Sequence, residues 1–226
     1  MSWNAPQKVI FPRWVDPLVK LAGAGAVLGG AYVAMLVAYG ASPKTLDVGY
    51  APEQPVPYSH TLHVGQLGLD CRYCHTSVER GPHANVPPTA TCMNCHTKVL
   101  TESPQLAPVR ESAQTGKPIP WVRVHDLPDY VYFDHSAHVT RGIGCVSCHG
   151  RVDTMDIVQQ VATLSMAWCI DCHRHPERHL RPPEEATNMT WAPPGGGSVE
   201  AREAFGRQFR LDHKINPPTD CSTCHR

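Results

Sequence analysis

Beyond residue 41 the sequence has few stretches that keep a clean helical or alternating apolar pattern for more than two turns, so a protein core of ordinary size is not written there. It lacks an excess of charge as well. Twenty basic and twenty acidic side chains cancel to a net charge of zero, which excludes the basic footprint of a nucleic-acid binder, and there is no polyanionic tail. Regular structure is interrupted by 22 prolines and 17 glycines. No cysteine is left over either, because all ten fall into pairs three residues apart.

Those pairs repeat one pattern: Cys71-Arg-Tyr-Cys74-His75, Cys92-Met-Asn-Cys95-His96, Cys145-Val-Ser-Cys148-His149, Cys169-Ile-Asp-Cys172-His173 and Cys221-Ser-Thr-Cys224-His225. With 14 histidines in 226 positions, five of five pairs would be followed by histidine by chance only about once in a million. Thioredoxin-like redox chemistry has no use for a histidine after every pair, nor for five copies. Structural zinc joins such pairs two at a time and would strand one of five. Disulfides within a pair would close tiny loops, constrain the unfolded chain very little and leave the histidines unexplained. Covalent c-type haem accounts for every element: two cysteines form thioethers to the porphyrin and the adjacent histidine ligates iron. The sequence therefore predicts five covalently attached haem c groups, with His75, His96, His149, His173 and His225 as proximal ligands.

Residues 42–226 provide 185 residues, or 37 per motif, so most apolar contact is expected against porphyrin faces. The predicted fold is mainly helical and irregular, with little or no sheet.

The N-terminus differs in kind. Leu21 to Ala41 is 21 residues without a charge, about 31 Å as a helix, which matches a bilayer's hydrocarbon core. The apolar region of a cleaved signal peptide is shorter, about 7–15 residues. A single transmembrane helix over 21–41 is expected, with 1–20 as a cytoplasmic segment and 42–226 as a periplasmic domain. Lys8, Arg13 and Lys20 before the span, against Lys44 after it, set that orientation in a bacterial inner membrane. Trp3 and Trp14 are candidate interfacial anchors, and Gly25 and Gly29, with Gly23 and Gly30 nearby, are small enough to let a partner membrane helix approach.

An internal repeat of about 75 residues orders the rest, in units of about 58–131 and 132–207 and a half-unit 208–226. Cys71, Cys145 and Cys221 lie 74 and 76 apart, and His60 and His135, like His63 and His138, lie 75 apart. The units open on "YSHTLH", "FDHSAH" and "LDHKIN", in which Asn216 replaces the second histidine. Five candidate distal ligands, His60, His63, His135, His138 and His213, thus meet five motifs, each HxxH pair reaching two different haems. Met166, three residues before Cys169, is the competing thioether ligand, and its use would raise one haem's potential. His125, among aromatic and apolar neighbours, is either a further ligand or a hydrogen-bonding partner of a propionate or backbone carbonyl. His83, His175 and His179 read as solvated.

The segments "YSHTLHVGQLGLDCRYCHTSVE", "PPTATCMNCH", "WVRVHDLPDYVYFDHSAHV", "GCVSCHG" and "MAWCIDCHRHPER" resemble the pentahaem cytochrome subunit of bacterial alternative complex III. The likeness covers most of residues 50–185, the membrane anchor and the fifth motif, and the HxxH arrangement is also similar to class III multihaem cytochromes c. It implies a chain that is not an enzyme by itself. Such a chain carries electrons within a quinol-oxidising complex, among membrane and iron–sulfur subunits, towards a monohaem cytochrome c or a terminal oxidase. The alternative is a stand-alone membrane-anchored multihaem quinol dehydrogenase, although no quinol site is marked near the first motif. A multihaem reductase would need an open iron, and no CxxCK occurs.

Overall fold

The structure, a computed structural model, describes residues 11–225; Trp3, Lys8 and the side chain of Lys44, which bear on anchoring and orientation, lie outside what is described. The chain divides between Thr45 and Leu46 into two compact units.

The first unit is built on α1 (Val15–Gly40), 26 residues and about 39 Å long. It begins six residues before the uncharged run, because Asp16 in the first turn complements the helix dipole and Pro17 is tolerated where no intrahelical N–H bond is needed. No residue of α1 is buried within the chain, and Val27 and Leu28 are 72% and 70% exposed. So long an apolar surface is stable only when something apolar covers it, and α1 is long and apolar enough to cross a membrane. A Cβ added at Gly23, Gly25, Gly29 or Gly30 would meet nothing within 4 Å.

The second unit is helical and irregular, as its sequence indicates. Its helices are α2 (Cys71–Cys74), α3 (Thr89–His96), α4 (Ala107–Thr115), α5 (His135–Val139), α6 (Val146–His149), α7 (Met166–Arg174), α8 (Val199–Asp212) and α9 (Cys221–Cys224), with a π-helical turn at Thr61–Gln66. Among the described residues pairing of extended backbone is confined to one isolated antiparallel bridge, Ile143 with Leu180. The buried apolar side chains are few and mostly small: Val56, Val78, Val109, Val139, Leu180, Ala186 and Ile215. Val78, Val139 and Ala186 cluster, tying the segment after the first motif to α5 and to the turn at Pro183–Glu185.

The longest helix of this unit, α8, starts where Ser198 accepts from the Ala201 N–H, and packs on the tight turn Pro176–Arg178. Gly206 makes the contact possible, because any Cβ there would run into the Glu177 carbonyl. Arg210 donates to the Glu177 carboxylate and Arg178 to Glu203. Burial alone would raise the Glu177 carboxyl, but its backbone hydrogen bond and the Arg210 guanidinium outweigh that and hold it below the usual carboxylate range. A depressed carboxyl contributes stability that is present above the unfolded value of about 4.3 and lost as pH falls through the folded value. Amide exchange in α8 is therefore expected to accelerate below about pH 4. Glu177→Gln should flatten that acid dependence, and an unaltered profile would show that the pair is not its source.

Candidate haem-binding centres

Each CxxCH motif lies on a helical turn, where residues three apart share a face, so both sulfurs of a pair can be offered to one side of a planar group. Local caps set these turns. Asp70 accepts from the Arg72 N–H at 2.8 Å ahead of α2, Asp220 from the Thr223 N–H at 3.0 Å ahead of α9, and Ser165 from the Trp168 N–H at 3.3 Å ahead of α7. The ten thiols form no disulfides, and among the described residues no three His, Cys, Asp or Glu side chains converge as a metal-ion cage. Burial pushes the Cys71 thiol up to about 11, and the Cys148 thiol to about 12. A thiol so reluctant to ionise is a poor redox nucleophile.

The histidines meet across gaps of one size. His63 and His96 have ring centres 6.3 Å apart, His135 and His149 6.3 Å, and His138 and His173 6.0 Å. A metal–nitrogen bond of about 2 Å on each side, plus about 1.1 Å from nitrogen to ring centre, puts two imidazoles on one metal ion about 6 Å apart. The residues present therefore fit haem iron between these rings. His60 and His75 are electrostatic neighbours: burial, then His75 and His63, lower the His60 imidazole to about 4.

The ring tautomers agree with this reading. Nδ1 of His63 donates to the Ser59 carbonyl, of His75 to Asn85, of His96 to Val99, of His135 to Pro82, of His138 to Asp134, of His173 to Pro218 and of His225 to Tyr130, at 2.5 to 3.2 Å. A carbonyl only accepts, so the proton sits on Nδ1 and the Nε2 lone pair is free for a metal. Burial, then the neighbouring imidazoles of His125 and His135, lowers His149 to about 3, which keeps it neutral as a ligand must be.

The two repeat units exchange supports. His60 N–H and Thr61 N–H donate to the Met155 carbonyl, ten residues after Cys145, and Ser136 N–H donates to the Gly81 carbonyl, ten residues after Cys71. Each unit's HxxH segment thus rests on the loop behind the other unit's first motif. Gly65 permits the first of these contacts, since a Cβ there would strike the Asp153 carbonyl.

Two aromatic residues escaped the reading of the sequence although the 75-residue spacing carried their signal. Tyr58 stacks on His63 at 4.3 Å and meets His60 edge-on at 4.8 Å; Phe133 lies 4.6 Å from His138 and meets His135 edge-on at 4.8 Å. Each wedges an HxxH pair apart so that the two rings diverge. Other candidates stand differently. His213 is exposed and stacks on Phe209 at 4.0 Å, and Met166 is 71% exposed at the start of α7. His125 packs edge-on against His149 at 4.4 Å, with its Nε2 buried and unpartnered, as is the Nδ1 of His60. His83 and His175 are exposed, while His179 is half-buried.

A helical, nearly sheet-free chain with ten paired cysteines and facing imidazoles is similar to the multihaem c-type cytochromes, its cysteines suited to several covalent haems. Residues 131–226 match the family described as cytochrome c7 and related cytochrome c. Over 129 residues, 56% of this chain, the sequence is 38% identical to the multiheme cytochrome c subunit of the menaquinone reductase of Nitratidesulfovibrio vulgaris. The match spans 59% of that relative's length.

Proposed function

We propose that this chain is a membrane-anchored pentahaem cytochrome that conducts electrons within a respiratory complex exchanging them with the quinone pool. The observation that carries the proposal is the set of imidazole pairs 6.0 to 6.3 Å apart with Nε2 free. Haem c supplies a one-electron iron couple when bound. Cys71 and Cys74, Cys92 and Cys95, Cys145 and Cys148, Cys169 and Cys172, and Cys221 and Cys224 would form the thioethers. His75, His96, His149, His173 and His225 would each supply one imidazole to an iron, and His60, His63, His135, His138 and His213 would supply the second. Met166 is not required in this scheme, since His138 already faces His173. The helix α1 spans the inner membrane, the cytochrome unit stands on the periplasmic side, and the glycine stripe of α1 docks on a membrane subunit.

The resemblance to alternative complex III supports delivery from quinol towards a periplasmic cytochrome or oxidase, through iron–sulfur and membrane subunits. The name of the relative, a menaquinone reductase subunit, favours a second reading in which electrons run towards quinone. Reduced quinol added to the isolated chain and to the gently solubilised native assembly decides the chain's part, followed at the c-type α-band. Rapid reduction in the assembly alone is expected. Equally rapid reduction of the isolated chain would make this chain the quinol dehydrogenase, and rapid α-band loss on adding quinone to the reduced assembly would establish the second direction.

A further inference from the structure

Sequence order would suggest that an electron visits the five motifs in turn, yet the contacts between motifs say otherwise. The first and second motifs touch directly, as Asn94 Nδ2 donates to the Tyr73 hydroxyl at 3.0 Å. The first and third are clamped by one segment. Arg72 donates to the Pro183 carbonyl and to Thr187 at 3.1 Å each, Asp70 accepts from Thr187 at 2.8 Å, and Cys145 N–H donates to the Ala186 carbonyl at 3.0 Å. The third and fourth are joined through α5, whose His135 faces His149 and whose His138 faces His173. The fourth and fifth meet where His173 Nδ1 donates to the carbonyl of Pro218, three residues before Cys221.

Exposure supplies an independent mark: of the ten cysteines, Cys95 and Cys221 are the exposed ones, and they belong to the second and fifth motifs.

We infer that the motifs form a spatial array in the order second, first, third, fourth, fifth, with the solvent-facing motifs at Cys92–His96 and Cys221–His225 as its two ends. The inference rests on the pentahaem reading above. The first and third motifs, corresponding positions in the two repeat units, form the joint of the array, and the reciprocal HxxH docking is what brings them together. Because electron tunnelling falls steeply with distance, an electron exchanged with a one-electron carrier at the second motif reaches the third only through the first.

The test uses the full haem-loaded chain in detergent. Haem content is measured first by pyridine haemochrome against protein mass. Fewer than five haems would remove the pentahaem reading itself. With five, every native thiol is consumed, so an introduced exposed cysteine is the one reactive to a nitroxide. Pairs drawn from Thr76→Cys, Lys98→Cys, Arg174→Cys and Thr219→Cys mark the first, second, fourth and fifth motifs, and pulsed electron–electron dipolar spectroscopy on the ferrous, diamagnetic protein gives their distances. The inferred order requires 98 to 174 to exceed 76 to 174, and 98 to 219 to be the longest of the six. Five haems with 98 closer to 174 than 76 is would overturn it.

Discussion

On the proposed pentahaem reading, replacing His138 by alanine is expected to convert one haem iron from low to high spin and to raise carbon monoxide uptake by the reduced protein from little to about one equivalent per chain. The reason lies in how firmly the ring is placed. Its centre is 6.0 Å from that of His173, Nδ1 is committed to the Asp134 carbonyl at 2.7 Å, and Phe133 packs against its face. Asp134 also accepts from the Ser136 N–H at 2.8 Å, so the residue that orients the imidazole also starts the helix carrying it. No neighbouring imidazole is free to take over, because His135 faces His149. His138→Met should keep the iron low-spin and raise its potential, since thioether ligation favours the reduced state. Met166→Leu, at a side chain 71% exposed, should change neither spectrum nor potential. An unaltered electron paramagnetic resonance spectrum in His138→Ala would remove His138 from the ligand set, and a high-spin signal in Met166→Leu would install Met166.

Gly142→Val is expected to cost about 3 to 5 kcal/mol and to lower the thermal midpoint by about 6 to 12 °C or more. Two effects add at this position. The backbone there has φ of +82°, a region that a β-branched side chain occupies only under strain, and any Cβ would run into the Arg181 carbonyl and press on Phe209. The damage would spread, because Gly142 accepts from Arg181 N–H at 2.9 Å and adjoins the Ile143–Leu180 bridge, three residues before Cys145. Leu180 and Arg181 are 1% and 2% exposed, so the segment facing Gly142 has no room to move aside. Gly81→Ala is the control, since its Cβ would meet nothing within 4 Å. Equal midpoints for the two variants, by calorimetry on the haem-loaded protein, would mean that the packing of Gly142 against Leu180 and Arg181 is not a determinant of stability.

Much of this protein is legible because its information is local. A CxxCH motif is five consecutive residues, so its chemistry is complete in one helical turn and needs no distant partner to be recognised. The 21 uncharged residues from Leu21 to Ala41 announce a length fit to span a bilayer, although the helix starts earlier, at Val15, because its charged first turn is compatible with a helix N-terminus. The scarcity of regular patterns after residue 41 foretold a fold with almost no sheet and a small apolar core. The repeat placed His60, His63, His135 and His138 in equivalent positions, and the same spacing carried Tyr58 and Phe133, whose part as wedges is visible only once their rings are seen against the histidines.

What the repeat cannot express is which copy touches which. The docking of each HxxH segment on the other unit's loop depends on hydrogen bonds between residues 55 to 95 positions apart, and the link from the first motif to the third runs through Pro183 and Thr187. Nor does sequence position tell that His125 lies edge-on to His149 or that Met166 faces outward. The sequence alone determined the CxxCH motifs, the spanning length and the absence of a conventional core, because each depends on neighbours along the chain. Only the tertiary structure decided which imidazoles face one another and in what order the motifs adjoin, because those depend on distances in space that chain separation does not encode.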